Sequence, residues 1–597
     1  MSAAGLSETP CGAVPEPNAP PSPLLLKLIA YVEAFAPYTA EFFGTFFIVF
    51  TVGCNTISGD RTWMPTSISF CVMVAMYATA GVSGGHLNPA LSFAFGLSWK
   101  LRWHRVLGYM LAQVSAGLLA GWLSRVLLET PILVGPKEGY DWFDSMIVEV
   151  VYSSMYCFVG LNCMASLRNN PKTDRNQFFA LAVGFVSIAG GHTTGTISGA
   201  FFNPAMTLGF GLTSGSLSQH FWTLLYAGYQ LAGSIVATVL FFMVRPEELA
   251  ALGISAEGLS CRKACSALSL CGGARESGDV EARTTEESAQ HRAERAYAPF
   301  PARVLSEFIG TYLIVFTFGL SKSMDSVQAH ALMANSTVPG VNGTVLMMHG
   351  SELLDRQQAG LQSVRVGPYS MVEVLQSSTV AWATGAAVLC MVYSLANVSG
   401  GHFNPAVTLA VMCTGSCAGP GRRKCRLIEG LFFMLAQVGA GVTAALTYVC
   451  VHRSATRKNA HRVADLGPHS GYGWTSVAIG ECVFTLAVAL SVLCMTTVRD
   501  PRYPKAPSTR SFQFAWAIGM CVTAGSFALE GITGGYLNPG VDVGIVAANF
   551  IYSGLVLDTR ISVLVHYVSY QMLGGVLAAI VFRMVHPLEY KEDPLLQ

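Results

Sequence analysis

Four times an Asn-Pro step interrupts an apolar stretch of this chain, each time behind a small-residue turn. The four are Ser83-Gly-Gly-His-Leu-Asn88-Pro89-Ala90, Ser198-Gly-Ala-Phe-Phe-Asn203-Pro204-Ala205, Ser399-Gly-Gly-His-Phe-Asn404-Pro405-Ala406 and Thr533-Gly-Gly-Tyr-Leu-Asn538-Pro539-Gly540. Glycine lets the chain turn sharply, Asn is a strong N-cap, and Pro suits the first helical position, where its missing N–H costs nothing. Each unit therefore starts a helix. The apolar run that follows is short: Ala90-Leu-Ser-Phe-Ala-Phe-Gly96 ends ahead of Lys100. Roughly 8 to 10 residues of helix reach about 12 to 15 Å, half of a hydrocarbon core of about 30 Å. The pattern predicts half-helices that begin at a membrane midplane.

The rest of the chain supplies the membrane. Hydrophobic residues make up 52% and charged residues 12%, with a net charge of +1, where a soluble chain carries about 25% charged residues. Apolar stretches near 43–52, 65–82, 106–128, 143–165, 177–192 and 221–244, then 304–320, 374–397, 427–451, 473–497, 512–528 and 562–584, read as twelve spans in two sets of six. The reading is an all-α polytopic membrane protein. Residues 1–39 read as a disordered tail and pre-helix, 40–245 as a first unit, 246–303 as a linker, 304–585 as a second unit and 586–597 as a tail. The cysteines suggest no disulfide framework. Many sit inside apolar spans as small hydrophobes, while Cys261, Cys265 and Cys271 fall in a basic segment just after a span.

The two halves repeat each other. Glu41-Phe-Phe-Gly44-Thr45 answers to Glu307-Phe-Ile-Gly310-Thr311, Leu111-Ala-Gln113-Val to Leu435-Ala-Gln437-Val, and Tyr229-Gln230 to Tyr570-Gln571. Within each half a weaker repeat pairs Glu41 with Glu149 and Glu307 with Glu481. A three-span unit repeated after an odd number of crossings is inverted, so its two half-helices enter from opposite faces with their N-termini meeting at the middle. Basic residues such as Lys100, Arg102 and Arg105, or Arg422, Arg423 and Lys424, concentrate in alternate loops, which the positive-inside rule makes cytoplasmic together with both termini. The long loop 321–369 then falls outside and carries the glycosylation sequons at Asn335 and Asn342. Arg453, Arg457, Lys458 and Arg462 run against this topology, in a loop it places outside.

On these residues each half resembles an aquaporin, a member of the major intrinsic protein family of water and small-solute channels. The resemblance covers about 40–245 and 305–585. It implies two tandem bundles, each of six transmembrane helices plus two re-entrant half-helices, and a passive channel that needs no cofactor or metal. It also implies that Glu41, Glu149, Glu307 and Glu481 accept hydrogen bonds from loop backbone and hold the half-helices in place. His86 and His402 resemble the family's loop histidine beside the pore; bonding to neighbouring backbone is the alternative. The residues themselves explain selectivity against cations. Each Asn uses its side-chain oxygen as a cap, leaving its amide as a donor, and two facing helix N-termini each carry about half a positive charge. An oxygen of water or a hydroxyl is welcome there and a cation is not.

The chain departs from the family at the outer mouth. Water-selective relatives place Arg three residues after the second Asn; here those positions are Met206 and Val541. By the family's spacing the first filter comprises Ile68, Gly191, Ala200 and Met206, and the second Thr384, Ser526, Gly535 and Val541. A one-residue shift brings His192 into the first ring. Asp542 resembles the aspartate that follows the filter Arg in glycerol-conducting relatives. Loss of the Arg removes donors that compensate a solute's lost hydration and widens the ring, so the expected cargo is water together with small uncharged solutes: glycerol, urea, ammonia or hydrogen peroxide. The resemblance further implies two chains assembling four channel units, in the plasma membrane or an endomembrane. Two other readings compete, an alternating-access twelve-span transporter and a non-conducting membrane scaffold or receptor. No nucleophile–base pair, phosphate loop or nucleic-acid-binding patch points to an enzyme or a nucleic-acid partner.

Overall fold

A computed structural model describes residues 23–58, 62–128, 131–171, 176–252, 298–335, 371–414, 425–451, 466–469, 471–497, 512–553 and 560–586. The first half contains α1 (Pro23–Ser58), α2 (Met64–Ser83), α3 (Pro89–Leu97), α4 (Trp103–Leu128), α5 (Trp142–Gly160), α6 (Phe179–Thr194), α7 (Pro204–Thr213) and α8 (Leu217–Val244), followed by the short α9 (Pro246–Ala251). The second half repeats the order with α10 (Phe300–Asn335), α11 (Met371–Ser399), α12 (Pro405–Thr414), α13 (Leu427–Val451), α14 (Trp474–Thr497), α15 (Gln513–Leu529), α16 (Pro539–Tyr552) and α17 (Arg560–Val585). Among the described residues, 10 helices are long and apolar enough to cross a membrane. The shorter α6 and α15, of 16 and 17 residues, take the fifth place in each half. Together they occupy the twelve stretches that hydropathy marks.

Local chemistry accounts for the helix starts. Asp141 closes a capping box on α5, accepting from Phe143 N at 2.8 Å and Asp144 N at 3.1 Å while Asp144 Oδ2 accepts from the Asp141 N–H at 3.0 Å. The ends differ from the sequence reading in two places. α1 begins at Pro23, ahead of the boundary drawn at 40. α10 continues to Asn335, so the loop expected from 321 begins as helix; the stretch from Ser321 to Asn335 contains no Gly or Pro and is rich in good helix formers. The side chain of Asn335, all of Asn342, the linker cysteines and the basic residues at 422–424 and 453–462 lie outside the described residues.

In each half the two short helices are wedged between long ones: α3 and α7 against α4 and α8, α12 and α16 against α13 and α17. The approach is close enough to require glycine. A Cβ on Gly117 of α4 would stand 2.1 Å from the Ala205 carbonyl oxygen, and one on Gly441 of α13 would stand 2.3 Å from that of Gly540. The same contact is thus built twice with the same residue.

The halves dock along α5, α6 and α8 of the first and α10, α11 and α13 of the second. Phe178 and Tyr393 stack with centroids 4.2 Å apart. Tyr152 bonds Thr317 at 2.9 Å, and Thr193 bonds Ser321 at 2.9 Å. Arg245, fully buried where α8 ends, reaches both sides. Its Nε donates to Asn162 Oδ1 in the π-helical turn after α5, and an Nη donates to the Ser394 carbonyl at 2.7 Å and Asn397 Oδ1 at 3.1 Å in α11. Arg245→Met would leave these acceptors buried and unpaired, a loss of about 3 kcal/mol. The expected outcome is a lower thermal-denaturation midpoint in detergent, and an unchanged midpoint would show that the seam does not depend on this side chain.

Candidate functional site: the paired half-helix termini

Each Asn caps its own half-helix through Oδ1, which accepts from the backbone N–H two residues on: Ala90 at 2.9 Å, Ala205 at 2.9 Å, Ala406 at 2.8 Å and Gly540 at 2.9 Å. The amide nitrogens reach across. Asn88 Nδ2 donates to the Phe202 carbonyl at 3.0 Å and Asn203 Nδ2 to the Leu87 carbonyl at 3.1 Å. In the second half Asn404 donates to the Leu537 carbonyl at 2.9 Å and Asn538 to the Phe403 carbonyl at 3.0 Å. One N–H of each amide is therefore committed to the opposite loop, and one is left to donate elsewhere. Pro89, Pro204, Pro405 and Pro539 open the helices at N1.

The loops ahead of the four Asn are held by the four buried glutamates. Glu41 accepts from His86 N at 2.9 Å, Leu87 N at 2.6 Å, Ser83 Oγ at 2.5 Å and Gln113 Nε2 at 2.7 Å. Glu149 takes Ser198 Oγ at 2.6 Å, Phe201 N at 3.1 Å, Phe202 N at 3.0 Å and Gln230 Nε2 at 2.9 Å. Glu307 does the same with Ser399, His402, Phe403 and Gln437, and Glu481 with Thr533, Leu537 and Gln571. Every partner has its counterpart at the same place in the repeat.

His86 is buried, with Nδ1 3.2 Å from Ser92 Oγ and its ring 4.3 Å from that of Phe95. His402 Nδ1 stands 3.2 Å from Thr408 Oγ1. Ser92, Thr207 and Thr408 occupy the fourth position after their Asn, and each hydroxyl accepts from the amide of Gln113, Gln230 or Gln437 at 2.9 Å. The fourth half-helix has Asp542 there instead. It is buried, and neither of its carboxylate oxygens nor Gln571 Oε1 has a hydrogen-bond partner among the described residues.

The positions expected to form the two filters differ in their surroundings. Ile68 and Met206 fall in one apolar cluster with Phe50, Met64 and Phe201. Gly191 lies against α2, where a Cβ would stand 2.6 Å from that of Pro65. Ala200 holds φ at +54°, a conformation that glycine supplies at Gly85, Gly401 and Gly535 in the other three loops. His192 Nε2 stands 3.0 Å from Thr66 Oγ1, which also receives the Trp382 indole N–H at 3.2 Å from α11, so this histidine lies at the seam between the halves. In the second half Ser526 Oγ donates to the Gly535 carbonyl at 3.0 Å and Thr384 Oγ1 to the Val380 carbonyl at 2.8 Å. Thr384, Ser526, Gly535 and Val541 are all buried, whereas Ile68, Gly191 and Ala200 are half-buried. Sequence spacing marked these positions but gave no sign that Thr66, the partner of His192, also meets Trp382, which lies 316 residues from it in the chain.

Ten membrane-length helices around paired half-helices define a polytopic channel architecture. A family model described as Major intrinsic protein matches residues 29–135, 137–269 and 295–508. The chain belongs to the major intrinsic protein family as a tandem repeat of its unit, and it is a water or small-solute channel, not an enzyme. It is 29% identical over 222 residues to a putative aquaporin NIP4-1 of Arabidopsis thaliana, a match covering 35% of this chain and 75% of that one. A probable aquaporin TIP-type of Medicago truncatula is 27% identical, over 35% of this chain and 88% of the relative. The X-ray structure of the aquaglyceroporin from Plasmodium falciparum aligns with 15% identity and a TM-score of 0.33, over 49% of this chain and 99% of that one.

Because Glu149 serves four donors at once, Glu149→Ala strands buried backbone N–H groups at about 1 to 3 kcal/mol each. We expect the variant to lose its monodisperse peak in fluorescence-detected size exclusion, while Glu149→Gln, which keeps one acceptor oxygen, retains part of it. Equal profiles for Ala and wild type would contradict the clamp.

Proposed function

We propose that each half forms its own pore for water and small uncharged solutes such as glycerol, urea, ammonia or hydrogen peroxide. The observation that carries this reading is the pairing of the Asn amides: Asn88 with the loop of Asn203, and Asn404 with the loop of Asn538, each within one half. At each junction two helix N-termini and two spare amide N–H groups favour an oxygen and oppose a cation. Asn88-Pro89-Ala90 with Asn203-Pro204-Ala205 line the first constriction, and Asn404-Pro405-Ala406 with Asn538-Pro539-Gly540 the second.

Selectivity follows from what replaces the Arg. In the first pore Ile68 and Met206 belong to an apolar patch, which offers a permeating solute dispersion contact but no hydrogen bond. In the second, the hydroxyls of Thr384 and Ser526 make a more polar passage. A filter without a fixed cation loses the term that favours water over larger polyols.

The assembly we infer is a pair of chains. The described windows of α1 and α2 are each 33% buried, against 78% and 89% for their counterparts α10 and α11, which pack on the first half; α14 is 44% buried against 78% for α5. The faces left unpaired, α1 and α2 at one end and α14 and α15 at the other, correspond to the two sides of the seam already made within the chain, so a second copy related by a two-fold axis closes a ring of four units. The termini and the basic loops face the cytoplasm in this reading.

Stopped-flow light scattering on proteoliposomes tests the channel reading. Wild-type protein is expected to raise water permeability and glycerol or urea permeability over empty vesicles, without saturation and without a gradient-coupled ion. Permeability equal to that of empty vesicles for every solute would favour a scaffold, and saturable gradient-driven uptake would favour a transporter.

A further inference from the structure

The second half carries an ion pair that has no counterpart among the described residues of the first half. Lys322 on α10 and Glu530, the residue that caps α15, are joined side chain to side chain, with Nζ of the lysine donating to Oε1 of the glutamate; both side chains are largely buried, with exposures of 10% and 13%. Two routes through the structure fix the height of this pair. Glu530 N donates to the Ser526 carbonyl at 2.9 Å, so the glutamate sits one helical turn beyond a filter residue. Lys322 lies one turn beyond Phe318, whose ring is 5.5 Å from that of Tyr536, the neighbour of the filter residue Gly535. The pair thus bridges two helices one turn outside the second filter, on the face opposite Pro23 and His586.

Other observations agree. All four residues of the second filter are buried beneath this level, whereas three of the four in the first filter are half-buried. His469 also lies here, its backbone N–H donating to the Ile532 carbonyl at 3.0 Å, and burial, with Lys322 nearby, holds its imidazole below the usual histidine range, hence neutral near pH 7. In register with Lys322 and Glu530 the first half has Thr56 and Gly195, and the Thr56 hydroxyl turns back to the Val52 carbonyl at 2.9 Å. No ion pair can form there.

We propose that the Lys322–Glu530 ion pair covers the mouth of the second pore and sets its limits of solute size and charge, taking over from outside the ring the part that a filter cation plays within it. The inference rests on the reading of the second half as a pore. With both partners present the mouth is narrow and electrically balanced. With Glu530 alone it is open to cations, and with Lys322 alone it repels them.

The test uses full-length protein in proteoliposomes, as wild type, Lys322→Gln, Glu530→Gln and the exchanged Lys322→Glu/Glu530→Lys. Each single variant is expected to raise the ratio of urea to water permeability by about tenfold, a barrier lowered by roughly 1.4 kcal/mol. Methylammonium entry should rise in Lys322→Gln and not in Glu530→Gln, a difference that a purely structural role would not produce. The exchanged pair should return both readouts towards wild type. Wild-type water flux with unchanged urea-to-water ratios in both single variants overturns the proposal and leaves the channel reading standing. Conduction in the variants but not in the wild type supports it, and absence of flux in all four overturns both readings.

Discussion

A buried carboxylate that collects the donors of an irregular turn is the interaction on which the rest of this fold depends. The segment before each Asn enters the membrane without helical pairing, and in hydrocarbon an unpaired N–H is costly. The segments are strained as well. Leu87, Phe202, Phe403 and Leu537, each directly ahead of its Asn, hold φ between +48° and +55°, a conformation that costs a residue with a side chain about 1 to 3 kcal/mol. Glu41, Glu149, Glu307 and Glu481 offset that cost by accepting from the same N–H groups, while a glutamine from a neighbouring long helix fixes each carboxylate in turn. Once the turns are held, the Asn caps, the Pro at N1 and the meeting of the helix termini follow from local chemistry.

The shared frame leaves the linings free to diverge. Three half-helices place a hydroxyl beside the clamp glutamine, and the fourth places Asp542 there. Ile68 and Met206 sit in an apolar cluster of the first half, whereas the corresponding region of the second half holds the hydroxyls of Thr384 and Ser526, with the Lys322–Glu530 ion pair one turn beyond. The repeated contacts at Gly117 and Gly441 show the same economy: backbone approach is preserved in both halves while the side chains that face solute are not.

The repeated elements were legible in the sequence because each rests on a rule of short range. Asn-Pro after a small-residue turn states a helix start, the spacing of glutamate and glutamine repeats between halves, and hydropathy marks the spans. What could not be read was long-range. Nothing near Asn88 in the chain says that its amide will find the Phe202 carbonyl, nothing near Arg245 names Ser394 and Asn397, and nothing near His192 says that its ring will meet Thr66, which the Trp382 indole also reaches. The ion pair of Lys322 and Glu530 joins residues that a hydropathy reading assigned to a loop and to a span end. The loop boundary itself moved because Ser321 to Asn335 has the composition of a helix, and a drop in hydropathy marks the membrane surface rather than the end of the helix.

We propose that the two clamped pairs of half-helices in one chain form two parallel conduits. The most direct measurement is stopped-flow water permeability of proteoliposomes carrying protein with Asn88 and Asn203 both replaced by Asp, with Asn404 and Asn538 both replaced, or with all four replaced. Independent pores predict that each pair removes its own share of the wild-type flux, that the two shares sum to the whole, and that the fourfold variant matches empty vesicles. Abolition of the entire flux by replacing either pair alone, in folded protein, would contradict the account and point to a single path shared by the two halves.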